Sequence, residues 1–222
     1  DKEHRSLSHL VVLAKNQDGW RSLIEATSAS NEPENYYFKP RLDLQSLSKY
    51  TQGNLIAFSG HLGSDLANIL FEDWRSAYNA STETEVKSYI RKDWVEQATK
   101  VVREHQSIFG EENFFIEIQL IDQENSPAAK IVGEGLRYIS KLLDVASVAT
   151  ADSHYPRKED ARDQRVLLCA AMKTTYKKME QKIQAGDDVS LSVFFKSFNY
   201  HIPSSEEIKA IHTEAEVANA IK

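Results

Sequence analysis

Val145-Ala146-Ser147-Val148-Ala149-Thr150-Ala151-Asp152-Ser153-His154 is a short apolar run that ends on a carboxylate and an imidazole. A run of this length with little polar alternation reads as a strand buried on both faces, the kind found in parallel sheets. Three more such runs lie upstream: His9 to Ala14, Leu55 to Ser59 and Phe114 to Ile118. Helical segments are expected between them. Trp20, Leu23, Ile24 and Ala26 suggest the first, and Leu42, Leu44, Leu47 and Tyr50 a short second one. A third passes through Leu66, Ile69 and Leu70. A long one is expected from about Val86 to Phe109, with Ile90, Trp94, Ala98, Val101, His105 and Ile108 on one stripe. Ser126-Pro127 is a cap followed by a first-turn proline, and Val132, Leu136, Ile139 and Leu143 follow at helical spacing. A polar entry at Arg157 to Asp160 leads into Val166 to Met172, and a last helix is expected near 206–222. Strand and helix thus alternate four times, which argues for an α/β fold with a parallel sheet or barrel. The reading expects one domain over 1–190 and a segment that leaves it over 191–222.

Composition narrows the function. The apolar fraction of 41% and charged fraction of 27% are those of a globular chain rather than a disordered one. No apolar run approaches the ~18 residues of a membrane span, and no leader pattern is seen at Asp1. Cys169 is the only cysteine, so an intrachain disulfide and a Cys-only zinc site are excluded. Its apolar neighbours make it a small core residue, and a cytoplasmic location is expected. With Lys+Arg 27 against Asp+Glu 33, the chain does not grip nucleic acid by charge alone. A local phosphate-binding site stays open. No glycine-rich dinucleotide loop, Walker loop or serine elbow is present.

In parallel α/β folds the chemistry sits at the carboxyl ends of strands. Gly60-His61 follows the second run, Asp152 and His154 end the fourth, and His9 opens the first. Residues two apart on an extended segment face the same side, so Asp152 and His154 could jointly ligate Zn²⁺, Mn²⁺ or Fe²⁺. A capped loop with a surface histidine fits the same three residues. His61 also fits a tight turn at a helix start, and His9 a histidine satisfied by backbone. Glu117 interrupts an apolar strand. It either serves the site as an acceptor or reaches solvent near the strand end. Lys39-Pro40-Arg41 sets two cations beside Tyr36, Tyr37 and Phe38, which suits a phosphate backbone and stacked bases, or an ordinary solvated loop. His105 falls on a helix's apolar stripe and is expected in the core. His4, His201 and His212 are expected to face solvent.

Taken in order, these segments resemble a family. His9-Leu10-Val11-Val12-Leu13-Ala14-Lys15-Asn16, Tyr37 to Asp43, Leu55 to Leu62, Phe115 to Gln119, Ala149 to Tyr155 and Glu159 to Cys169 are similar to successive motifs of one domain. It is the polymerase-and-histidinol-phosphatase (PHP) domain of the bacterial and phage DNA polymerase III alpha subunit. Phe198 to Glu207 is similar to the segment leaving that domain.

The resemblance implies a PHP-type distorted (β/α)7 barrel, here lacking its first strands, with up to three divalent ions (Zn, Mn or Fe). Family ligands carry over onto His9, His61, Asp152 and His154. Position 61 departs from the alpha-subunit pattern, where Cys is common, and His is a sound replacement. Asp152, His154 and Glu117 are the implied catalytic set, and Lys39 and Arg41 the implied substrate contacts. The family also opens with His-x-His, Asp, His and Glu, which have no counterpart here. The expectation is therefore a chain corresponding to the C-terminal two-thirds of the domain: a fragment, part of a longer chain, or a chain whose missing strands a partner supplies. The implied function is a metal-dependent phosphoesterase with 3′–5′ exonuclease activity. One alternative is a scaffold that docks the polymerase body and a separate proofreading subunit. A free-standing small-molecule phosphatase is the other. The implied partners are single-stranded or primer-end DNA, the polymerase core and a proofreading subunit, with no membrane.

Overall fold

A computed structural model of the chain describes residues 7–119, 126–184 and 198–217. The described residues divide into two compact units, one of 7–118 and 127–149, the other of 119, 126, 150–184 and 198–217. The expected boundary near 190 lies outside the described residues.

The first unit is built on four strands: β1 (Val11–Ala14), β4 (Leu55–Phe58), β5 (Phe114–Ile118) and β6 (Ser147–Ala149). A separate two-stranded ribbon joins β2 (Tyr36–Tyr37) to β3 (Lys39–Pro40). The main sheet runs β1-β4-β5-β6. Its β4–β5 and β5–β6 pairs are parallel, as the apolar runs predict. The β1–β4 pair is antiparallel, with Val11 opposite Phe58 and Ala14 opposite Leu55. This corrects the all-parallel expectation. The reason is visible in burial: Leu55 and Ala57 are fully buried, while Val11 and Leu13 keep 40% and 47% of their surface. A strand at the sheet edge needs no covering on its outer face, and its direction is not encoded in its apolarity.

Helices α1 (Gln17–Ser30) and α2 (Leu44–Thr51) connect β1 to β4, each started by a side-chain cap, Asn16 on the Gly19 N–H and Asp43 on the Ser46 N–H. Between β4 and β5 come α3 (Asp65–Asn68), α4 (Trp74–Asn79), α5 (Glu83–Ser88) and α6 (Trp94–Phe109). The long helix expected from Val86 is therefore broken at residues 89–93. Backbone bonds explain the break: Glu72 N–H donates to Tyr89 O, Arg91 N–H to Leu70 O, and Phe71 bridges Ile90. These cross-links satisfy groups that a continuous helix would have used, and Phe71 is buried by the same contact. Helix α7 (Pro127–Leu143) begins at the expected proline and joins β5 to β6. Leu55, Ala57, Phe114 and Ile116 from the sheet, with Ala98, Val102, Ile131, Leu136 and Ile139 from α6 and α7, form the core. His105 belongs to it as expected: it is buried, its Nδ1–H reaches Val101 O at 2.8 Å, and its ring lies 5.1 Å from that of Phe114.

The second unit carries a 3₁₀ turn at Lys158–Asp160, then α8 (Ala161–Ala171), α9 (Tyr176–Gln184) and α10 (Ser205–Val217). Helix α9 was not expected. Its Met179 packs on Cys169 with Tyr176 beside it, and both Cys169 and Met179 are buried. The thiol is free, as expected. No helix among the described residues is long and apolar enough to cross a membrane.

Candidate functional site

The reversed first strand changes where His9 stands. Because β1 runs antiparallel to β4, the residues before Val11 lie alongside those after Phe58. His9 therefore shares a sheet end with Gly60 and His61, although it opens its strand and they follow theirs. The contact is close. His9 N–H donates to Gly63 O at 3.0 Å. Gly60 has φ +76°, and a Cβ there would lie 2.9 Å from Ser64 Cβ and 3.0 Å from His9 O. Only glycine fits this turn without displacement.

The turn itself is heavily tied. Ser64 caps α3 through its Oγ on the Ala67 N–H, and its own N–H and Oγ–H both donate to His61 O. Tyr78, buried enough to push its phenol up to about 12, donates to Asn68 Oδ1 and accepts from the Gly63 N–H. Ser8 Oγ donates to Asp65 Oδ1.

Within this frame His61 is 6% exposed, and both ring nitrogens are buried without a hydrogen-bond partner. Burial lowers its pKa from 6.5 to about 4, so the ring is neutral at physiological pH. A neutral imidazole with bare nitrogens is the form that binds a metal ion.

Glu117 reaches the same end of the sheet on β5. Its N–H donates to Ser59 Oγ at 3.0 Å, and Ser59 Oγ–H donates to Gly60 O. The residue is 3% exposed, which overturns the alternative that it reaches solvent.

Lys39 lies on β3 and is exposed, and Arg41 follows it half-buried. Tyr36 and Phe38 keep 49% and 80% of their surface. The tight turn between β2 and β3 puts Phe38 at φ 61° and presents its ring outward.

Asp152 and His154 belong to the second unit. Asp152 Oδ1 lies 3.4 Å from His154 Nε2, and both side chains are about half exposed. The expected adjacency of carboxylate and imidazole is thus present. Asp152 has φ 47°, in the left-handed region. His201 departs from its expected solvent-facing place. Its side chain is only 12% exposed, and Nε2 faces Glu207 Oε1 at 3.3 Å. Sequence reasoning missed it because its neighbours are polar. The signal was Ser204-Ser205-Glu206-Glu207, a capping box that draws Glu207 back towards the chain entering α10. His212 is half-buried, and His4 lies outside the described residues.

Among the described residues, no three His, Cys, Asp or Glu side chains are grouped so as to hold a metal ion. The individual donors nonetheless suit one: an unprotonated buried imidazole at His61, and an oxygen–nitrogen pair at Asp152 and His154.

The model of the PHP domain matches residues 1–120. The DNA polymerase III subunit alpha of Thermus aquaticus is 33% identical over 208 residues, 94% of this chain and 14% of that protein. The corresponding subunit of Treponema pallidum is 28% identical over 222 residues, 98% of this chain and 16% of the relative. That of Saccharopolyspora erythraea is 31% identical over 162 residues, 73% and 12% respectively. The chain thus spans less than a fifth of the length of these relatives.

Proposed function

Since this chain belongs to the PHP domain family, we propose that it is the PHP portion of a replicative DNA polymerase III alpha subunit and hydrolyses phosphodiesters at a DNA 3′ end with divalent metal. On this reading the four strands of the first unit are part of a distorted (β/α)7 barrel. The observation that supports it best is His61, a fully desolvated imidazole with no protein partner at the end of a sheet strand. A bare buried polar group is costly unless something else binds it.

His9 and His61 of the first unit and Asp152 and His154 of the second are the proposed donors for Zn²⁺, Mn²⁺ or Fe²⁺, and metal held by them would supply Lewis acidity towards a phosphoryl oxygen and hydroxide near neutral pH. Glu117 orients the neighbouring groups from β5. Asp152 and His154 are proposed to serve catalysis as that paired oxygen and nitrogen donor set, 3.4 Å apart. Lys39 and Arg41 grip backbone phosphate, and Tyr36 and Phe38 offer ring faces to an unpaired base. The polymerase core, a primer end and a separate proofreading subunit are the partners, in the cytoplasm. The test is 3′–5′ exonuclease turnover of the complete subunit on a labelled primer. Asp152→Asn with His154→Ala should abolish the metal-dependent part, and unchanged turnover rejects the assignment.

A second reading is a scaffold that only docks the polymerase body and a proofreading subunit. The lack of a three-donor group among the described residues favours it. Elemental analysis of the complete subunit separates the two. Substoichiometric metal, with no loss of stability on chelation, supports the scaffold.

A further inference from the structure

Asp152 occupies a backbone conformation that L-residues rarely adopt, at φ 47°. Such residues persist where their surroundings over-determine them. Here the surroundings come from a segment more than forty residues away in the chain but in the same unit. The His154 N–H donates to Tyr200 O at 2.7 Å. Ser153 Oγ donates to His201 O at 2.9 Å. In return, the Tyr200 N–H donates to the phenol oxygen of Tyr155 at 3.1 Å, and Tyr155 is buried. Tyr155 and His201 form a parallel bridge, and the Tyr200 ring stands edge-on to the His154 ring at 5.8 Å.

The far side of this segment is anchored as well. Glu207 Oε2 accepts from the Ser204 N–H, Ser204 Oγ accepts from the Glu207 N–H, and Glu207 Oε1 faces His201 Nε2. The start of α10 thus holds residues 200–204 in place. Those residues hold the loop of Asp152 and His154 in turn.

We infer that Tyr155 and Ser153 are positioning residues. They lock the Asp152–His154 loop against the 200–202 segment and so keep the carboxylate and imidazole side by side. The inference rests on the proposed metal role of that pair for its purpose, but its geometry is testable without metal. Neither residue acts as a ligand. Their hydroxyls work through the backbone, one as donor to His201 O and one as acceptor for the Tyr200 N–H.

Two variants test this: Tyr155→Phe, which keeps the ring and removes the acceptor, and the exposed Ser153→Ala. The first readout is hydrogen–deuterium exchange of the metal-free chain, resolved at the His154 and Tyr200 amides. Exchange on the order of tenfold faster in Tyr155→Phe, with the α6 and α7 amides unchanged, is expected. Unchanged exchange at His154 in both variants overturns the inference, whatever the metal does. The second readout is Co²⁺ titration followed by the visible spectrum. Weaker binding by at least about tenfold, with altered band intensities, is expected in the variants. Wild-type binding that both variants reproduce in affinity and spectrum overturns the positioning role and leaves the metal reading standing. A wild-type chain that takes up no Co²⁺ overturns the metal reading, and the loop lock is then decided by the exchange data.

Discussion

His61 makes the stability of this chain depend on pH with a sign and size that follow from its burial. The ordinary value of 6.5 falls to about 4 in the fold because the charged ring has no water and no partner. As acid is added, the unfolded chain takes up a proton near 6.5, and the folded chain resists until about 4. Stability attributable to this group is therefore complete above 6.5 and drains away as pH falls towards 4. The gap of about 2.5 pH units, at about 1.36 kcal/mol each, amounts to about 3 kcal/mol. Carboxylates titrate over part of this range too, so the measurement is a difference between two proteins. Urea unfolding of the chelated wild type and of His61→Leu should be followed from pH 7.5 to 4. The variant has nothing to protonate at 61, so the stability difference should shift by about 3 kcal/mol in favour of the variant, widening as pH drops. At pH 7.5 the variant should already match or exceed the wild type, because two unpartnered buried nitrogens are gone. Parallel curves across the range would show that the ring is solvated or hydrogen-bonded, and the metal argument built on its bareness would fail with it.

Further expectations concern the same region. Gly60→Ala should destabilise by about 3 kcal/mol in urea unfolding, combining a left-handed backbone with a clash on His9 O and Ser64 Cβ. Gly53→Ala, with φ +73° but open space around it, should cost only about 1–2 kcal/mol. Equal losses would refute the close-approach argument. Ser59→Ala should cost about 1–3 kcal/mol, because the Glu117 N–H loses its acceptor at a buried site. Burial raises the carboxyl pKa of Glu134 on α7, so its destabilising effect grows as pH rises through the normal range. Glu134→Gln should therefore raise Tm at pH 7 more than at pH 4. A lower Tm at pH 7 would mean that its lysine neighbours outweigh its burial.

Much of the sheet was legible in the sequence, because Leu55 to Phe58 and Phe114 to Ile118 are apolar on both faces and must be covered by helices. What pattern could not carry was direction. Val11 to Ala14 is as apolar as its neighbours, yet its reversal depends on pairing with β4, a contact between distant parts of the chain. The break between α5 and α6 was hidden for a related reason. Ile90 and Trp94 keep helical spacing, but the backbone of 89–91 is claimed by Leu70 to Glu72. At the candidate site, Asp152 and His154 are adjacent as read, but not on an extended strand, since β6 ends at Ala149 and Asp152 is left-handed; the burial of His61 and Glu117 was not readable. His201 was missed because its polar sequence neighbours conceal a side chain that the fold leaves only 12% exposed, facing Glu207.

The head-to-tail start of the sheet also bears on how the chain can be handled. His9 carries an imidazole, but its carbonyl is the floor beneath Gly60, and its amide closes the turn at Gly63. A cleavage site or fusion joint set just ahead of Val11 would therefore remove one histidine and loosen the seat of another, so a single cut disturbs both residues at once. The exposed turn at Gly53, where an added Cβ would meet nothing within 4 Å, is the safer place for a probe or an insertion.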